Sequence, residues 1–199
     1  QAPGLSLAGL PIPRRDLLPA KHFTMPATVE ATRGCTYRCE FCVVPTAWGQ
    51  PLQRPVREVV AEIRQTGAKK LLFLDLNLNA DRGYALELFT ALVPLGIRWG
   101  GLATTTIAGD DELLDLAARS GCRGLLLGFE SLCEASVVET GKAFNLRTSY
   151  ADVACRIHAR GIAIQGCFVF GFDHDDASVF ERTAAFAIDA RIDLPRFAV

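Results

Sequence analysis

The chain has 199 residues, 50% of them hydrophobic, and a formal net charge of −1. That length allows one domain with a sizeable core, and acids and bases are interspersed, which argues against nucleic acid or an anionic membrane surface as the main partner. No apolar run reaches the roughly 18 residues that a membrane-spanning helix needs.

In chain order, residues 1–13 are rich in proline and glycine and lack a basic start, so they read as a linker and not as a signal peptide. Residues 1–26 are expected to connect to a domain upstream. A short β-type run, Ala27-Thr28-Val29-Glu30-Ala31-Thr32, comes next. After a cysteine-bearing loop, Val56, Val59, Val60 and Ile63 recur at helical spacing and predict a helix over Pro55–Gln65, ended by Gly67. Leu71–Leu74 reads as a buried strand, Asp81–Val93 as a helix broken by Pro94, and Ile97–Ala103 as a strand. Asp110–Ser120 predicts a helix with an acidic first turn, stopped by Gly121. Strands over Arg123–Phe129, Ile162–Phe170 and Asp193–Val199 alternate with helices over Ser149–Arg160 and Asp175–Ala190.

Continuous apolar strands alternating with amphipathic helices predict a parallel α/β sheet. A complete eightfold barrel typically takes about 250 residues. Here a sixth strand begins with no helix after it, so the expectation is a chain cut at both ends and incomplete at its C-terminus.

In parallel barrels the active site gathers at the carboxyl ends of the strands. Polar residues stand where each apolar strand ends: Asp75 and Asn77, then Thr104, Thr105 and Thr106, then Glu130 and Ser131, then Asp173. Taken singly, each is explained by a turn or a helix cap. Their recurrence in register is not.

The first strand leads into Cys35, Cys39 and Cys42, spaced C-x3-C-x2-C. Three thiolates this close can bind three different irons of one inorganic cluster, leaving a fourth iron open to a substrate or cofactor; an electron carrier normally uses four cysteines. Structural zinc also needs four ligands, and the one nearby candidate is His22. The odd count of seven cysteines argues against a disulfide framework and for a reducing, cytoplasmic compartment. Cys122, Cys133, Cys155 and Cys167 lie singly in apolar or helical stretches and are expected to be small core residues. His158 reads as a surface histidine, and the acids around His174 as caps of the following helix.

The stretch VEATRGCTYRCEFCVVPT, with aromatic Phe41 before the third cysteine, resembles the cluster loop of the radical S-adenosylmethionine superfamily. The resemblance runs from about Ala27 to Val199 and implies a core domain over residues 27–199, a partial six-stranded (β/α) barrel of TIM-like type. It implies a 4Fe-4S cluster on Cys35, Cys39 and Cys42, whose open iron chelates S-adenosylmethionine. One electron then cleaves the cofactor to methionine and a 5′-deoxyadenosyl radical that abstracts hydrogen. Asp75 and Asn77 stand where the family has Gly-Gly-Glu, a departure; a carboxylate and an amide oxygen still accept from the cofactor's ammonium group. Phe41 is expected against the adenine, and Glu130 and Ser131 near the methionine or ribose portion. A buried Glu130 calls for a ligand or a basic neighbour such as Arg33 or Lys142, and Lys142 is a candidate to reach the cofactor carboxylate. Gly171 is expected beside the adenine, where a glycine permits close backbone approach, and Thr104 completes the candidate cofactor contacts.

The Asp75-Leu76-Asn77 variant and the segment GLPIPRRDLLP resemble cobalamin-linked members, which include methylases of unactivated carbons and ring-forming oxidoreductases. That resemblance implies cobalamin bound by an upstream domain, a small-molecule substrate, and a one-electron reductant such as flavodoxin or ferredoxin, with no nucleic acid. The alternatives are a methylthiotransferase, or a non-catalytic zinc or iron–sulfur binding module.

Overall fold

The computed structural model describes residues 6–17 and 27–199. His22 and the end of the connector at Pro19 lie outside these residues.

Six parallel strands form one sheet in the order β1-β4-β5-β6-β7-β8. They are β1 (Thr28–Val29), β4 (Lys70–Phe73), β5 (Arg98–Ala103), β6 (Cys122–Glu130), β7 (Ala163–Val169) and β8 (Leu194–Ala198). Helices α2 (Val56–Thr66), α3 (Arg82–Leu92), α4 (Asp111–Arg119), α6 (Tyr150–His158) and α7 (Val179–Asp189) occupy the connections between successive strands. The expected α/β barrel architecture is therefore present, and it is open: β1 and β8 are the sheet's two edges and do not pair with each other.

Alternation along the strands divides the two faces. On β6, Leu125, Leu127 and Phe129 are buried against the helices, while Gly124, Leu126 and Gly128 point the other way and are partly exposed. The helix-facing side holds the core, where Trp99 meets Phe73 edge-on with ring centres 5.4 Å apart. The indole N–H of Trp99 donates to Ser120 Oγ at 3.0 Å, so the core's largest side chain leaves no buried donor unpaired. The opposite, concave face carries Leu72, Leu74, Leu102 and Leu126 around Gly100 and Gly124 and lines an open, mainly apolar cavity of ≈ 450 Å³.

Several elements depart from the expectations. The first β-type run divides: Thr28–Val29 joins the sheet, while β2 (Thr32–Arg33) pairs antiparallel with β3 (Leu52–Gln53) in a separate ribbon. The two short helices α1 (Val44–Trp48) and α5 (Glu134–Glu139) were not foreseen. Helix α7 begins at Val179, not at Asp175, because the Asp175 carboxylate turns back to accept from the backbone N–H groups of Gly171 and Phe172. Asp176 accepts instead from Ser178 N at 2.8 Å, shaping a turn and not a helix cap. Of the four isolated cysteines only Cys122 is buried; Cys133 and Cys167 are half-buried and Cys155 is exposed.

In the N-terminal segment Leu7 is buried, Gly9 N donates to Glu58 Oε2 at 2.9 Å, and Arg15 pairs with Glu62 at 2.6 Å. Glu62 also pairs with buried Arg54, so two cations converge on one carboxylate beneath α2. No helix among the described residues is long and apolar enough to cross a membrane.

Candidate functional site

The loop bearing Cys35, Cys39 and Cys42 leaves the sheet through β2 and returns through β3. Gly34 opens it with φ +95°, and a Cβ there would stand 3.2 Å from the Pro51 Cα, so both torsion and space call for glycine. Three contacts seat the loop on the turn after α5. Glu40 N donates to Thr140 O at 3.1 Å, Gly141 packs against the Arg38 carbonyl, and the Tyr37 and Phe144 rings stack with centres 3.9 Å apart. All three thiols are half-buried, and desolvation raises the pKa of Cys39 above that of an ordinary thiol. Among the described residues no three His, Cys, Asp or Glu side chains converge on a single-ion position.

Asp75 and Asn77 follow β4 and are both buried, at 0% and 1% exposure. The Asp75 carboxylate accepts from Ala31 N at 3.0 Å and, through its other oxygen, from the backbone and hydroxyl of Thr32. Burial pushes its pKa up to about 6. Both of its oxygens are thus engaged with the strand that leads to Cys35. Asn77 differs. Its Nδ2 lies 3.7 Å from Cys35 Sγ, and its buried Oδ1 has no hydrogen-bond partner. An orphaned acceptor costs about 1–3 kcal/mol of desolvation, and a cationic donor such as an ammonium group would satisfy it.

Glu130 closes β6 with φ +65°, beyond a register shift between Gly128 and Glu130. The bulge turns the carboxylate inward. Lys142 Nζ meets Glu130 Oε1 at 2.7 Å and donates to the Gly128 carbonyl at 3.0 Å. Of the two cations expected as the neighbour of Glu130, Lys142 is the one present; Arg33 pairs with Glu30 at 2.5 Å and lies over the Trp48 ring. Ser131 is buried, and its Oγ accepts from Cys133 N at 3.0 Å, where it helps start α5.

Thr104 Oγ1 lies 2.7 Å from Thr106 Oγ1, and its backbone N–H donates to Asn79 Oδ1 at 2.8 Å. Asn79 also donates to both hydroxyls, which fixes the end of β5 to the end of β4. On the far side, Gly171 is exposed with φ +96° and open space where a Cβ would project. The exposed Phe41 ring lies 6.4 Å from that of Phe172, so the two aromatics face one another across the loops. Asn77, Asn79, Thr104 and Glu130 thus stand at the carboxyl ends of their strands, and Lys142 reaches Glu130 from the turn after α5. His158 pairs with Asp193 at 3.0 Å, and His174 approaches Glu139, the last residue of α5, at 3.5 Å.

Three residues with supporting roles were missed. Asn79 is the clasp just described. Asn145 donates to the Gly128 and Phe129 carbonyls and accepts from Thr105 Oγ1, joining β6 to the loop after β5. Gly128 leaves room for the ion pair: a Cβ would stand 2.2 Å from Glu130 Oε1 and 2.7 Å from Lys142 Nζ. Asn79 sits two residues beyond Asn77 in the same strand-end run, a signal that could have been read. The other two depend on contacts between segments distant in sequence.

Residues 29–183 match the family model described as the Radical SAM superfamily. The chain is 34% identical over 187 residues to bacteriochlorophyllide d C-12(1)-methyltransferase of Chlorobaculum tepidum, covering 90% of this chain and 41% of that one. It is 28% identical over 200 residues to tRNA-2-methylthio-N(6)-dimethylallyladenosine synthase of Agrobacterium fabrum, covering 88% of this chain and 42% of that one. Among solved structures it resembles the radical S-adenosylmethionine methyltransferase TsrM of Kitasatospora setae bound to tryptophan and an aza analogue of S-adenosylmethionine. The TM-score is 0.76 at 20% identity, over 87% of this chain and 35% of that one. A second structure of TsrM, with cobalamin and a [4Fe-4S] cluster bound, gives a TM-score of 0.74 at 20% identity, over 86% of this chain and 33% of that one. The chain therefore spans about two fifths of the length of the curated relatives it matches.

Proposed function

The chain belongs to the radical S-adenosylmethionine superfamily, and from that premise we propose that it is the catalytic core of a cobalamin-dependent methylase or oxidoreductase. The observation that carries this reading is Asn77: a buried amide beside a candidate cluster ligand, with its oxygen left for a donor that the protein does not supply.

In this reading Cys35, Cys39 and Cys42 hold a 4Fe-4S cluster. When reduced, that group supplies one electron to the sulfonium of S-adenosylmethionine, the source of a hydrogen-abstracting radical. Asn77 Oδ1 accepts from the cofactor's ammonium group, and Asp75 holds the strand that carries Cys35. Phe41 and Phe172 flank the adenine, and Gly171 offers its backbone without a side chain in the way. Glu130 and Ser131 border the methionine and ribose portion. Lys142 neutralises Glu130 and keeps a further N–H for the cofactor carboxylate, while Thr104 and Asn79 hold the rim.

The apolar concave face below this rim suits the hydrocarbon body of a small-molecule substrate. The cobalamin assignment is supported by the Asp75-Leu76-Asn77 variant and by likeness to a methyltransferase solved with cobalamin. A domain upstream of the linker, ahead of Gln1, would hold it. A one-electron donor of the flavodoxin or ferredoxin kind, in a reducing cytoplasmic compartment, completes the requirements of such an enzyme.

The test is anaerobic purification of the full-length protein, followed by assay of iron, cobalamin and labelled-methyl transfer from S-adenosylmethionine. About four irons per chain, bound cobalamin and formation of 5′-deoxyadenosine are expected. About eight irons without cobalamin would favour a methylthiotransferase, the reading that the Agrobacterium likeness keeps in view. Zinc without visible charge-transfer absorption would overturn the enzymatic reading and leave a binding module.

A further inference from the structure

We propose that the open lumen of the sheet takes an elongated apolar molecule by an anionic end, with Lys70, Arg98 and Arg123 as the anion site at the amino ends of β4, β5 and β6. The inference rests on the reading above and deepens it by giving the class of the small-molecule substrate: a hydrocarbon skeleton with an anionic group at the end remote from the cysteine loop.

The three cations share one space. Lys70, Arg98 and Arg123 line an open cavity of ≈ 440 Å³ with Leu72, Gly100 and Gly124, and among the described residues no acidic side chain lines it. Lys70 and Arg98 are register partners on adjacent strands, both exposed, where like charges side by side repel. None of the three joins an ion pair among the described residues. Asp193, which borders the neighbouring apolar cavity, is engaged by His158 and by the Ile164 N–H. The chain as a whole has 21 basic and 22 acidic residues, so the cluster does not come from a basic composition. An anion among the three cations would offset their repulsion.

Next to the cations the lumen is left unfilled. In a closed parallel barrel, layers of bulky side chains pack this space. Here the register partners Leu72, Gly100, Gly124 and Ala163 form one layer across four strands, and three of the four carry at most a methyl group. The backbone does not require glycine at 124: its φ lies outside the left-handed region, and a Cβ would meet nothing nearer than the Ala163 carbonyl oxygen at 3.9 Å. What the missing side chain leaves is room. The layer joins the cationic space to the apolar cavity, since Leu72, Gly100 and Gly124 border both. At a rise of about 3.3 Å per residue, the path from Arg98 to Thr104 at the rim is about 20 Å, which sets the length of the molecule.

The test is equilibrium dialysis of the anaerobically reconstituted full-length protein against 1-pyrenebutyrate, an apolar ring system with a carboxylate on a short chain, and against its neutral amide. The carboxylate is expected to bind about tenfold more tightly, the scale of one charge-assisted hydrogen bond, and added salt to narrow the gap. The double variant Lys70→Gln/Arg98→Gln should bind both probes alike, at the affinity of the amide. Gly124→Val fills the glycine layer and should weaken both probes. Arg119→Gln, which removes an exposed cation from the last turn of α4, should leave the preference unchanged. Equal affinity of the wild type for the two probes overturns the inference. So does binding of neither probe, or a preference that survives the loss of Lys70 and Arg98. Iron assayed on the same samples keeps the two readings apart: a wild type without iron removes the cluster enzyme on which the substrate class rests, whereas the dialysis decides the anion site.

Discussion

Lys142 Nζ lies 2.7 Å from Glu130 Oε1, and each side chain keeps about a tenth or less of its exposure, at 9% and 10%. The lysine comes from the turn after α5 and the glutamate from the bulged end of β6, so one ion pair fixes the rim of the barrel to the seat of the cysteine loop. Breaking a buried pair strands the remaining charge. Lys142→Met is therefore expected to destabilise the fold by about 3–5 kcal/mol. The double variant Lys142→Met/Glu130→Gln should recover much of that loss, and urea unfolding of the three proteins measures it.

Gly128 makes the same point sterically. Its Cβ would collide with Glu130 Oε1 at 2.2 Å. Gly128→Ala is expected to displace the pair and weaken S-adenosylmethionine binding, read by equilibrium titration, while iron content stays at the wild-type level because the three cysteines are untouched.

Asp75 predicts a pH dependence whose sign is fixed. Its pKa is raised by burial to about 6 in the folded chain, above its value of 3.8 in an ordinary environment. The folded state then binds the proton more tightly than the unfolded state. This group's contribution to stability is fully present below about pH 4 and is lost as pH rises to about 6, with a total on the order of 3 kcal/mol. Subtracting the melting curve of Asp75→Asn from that of the wild type across this range isolates the effect. A flat difference would show that Asp75 stays ionised in both states.

Gly121, between α4 and β6, adopts φ +101°, and a Cβ there would stand 1.9 Å from the Ile97 carbonyl oxygen. Backbone cannot yield as a side-chain tip can. Gly121→Ala is expected to cost about 3 kcal/mol or more by thermal melting.

Cys35, Cys39 and Cys42 are expected each to be essential for iron retention, whereas Cys133→Ala should keep the full complement. Cys133 lies at the start of α5, where Ser136 lowers its thiol pKa. Colorimetric iron and sulfide assays on the four variants decide this.

The long elements were legible because each has a strong period and a physical stop. Helix α2 was expected over Pro55–Gln65 and runs Val56–Thr66, ended by left-handed Gly67. The short helices were not legible: α1 and α5 have too few residues to carry a period and rest on tertiary contacts. In the site, residue types at the strand ends announced themselves, but their division of labour did not. Asp75 and Asn77 look like two equivalent polar groups in sequence. Only the closeness of Ala31 and Thr32 shows that one is committed to backbone and the other is free. Lys142 likewise could be placed beside Glu130 as an option, while the bulge that brings them together depends on pairing with β7.

The ribbon of β2 and β3 has a consequence for how this protein can change. It pinches the chain shut on both sides of the cysteine loop, and Tyr84 Oη lies within 3.0 Å of a carbonyl on each side, those of Ala31 and Arg54. Everything between Gly34 and Pro51 is thereby a closed excursion whose ends stay together whatever lies inside. For such a loop, added length costs little, since the entropy of closure grows only logarithmically with the number of residues. The ligand loop can accordingly change in length at small entropic cost while the parallel sheet beneath keeps its register.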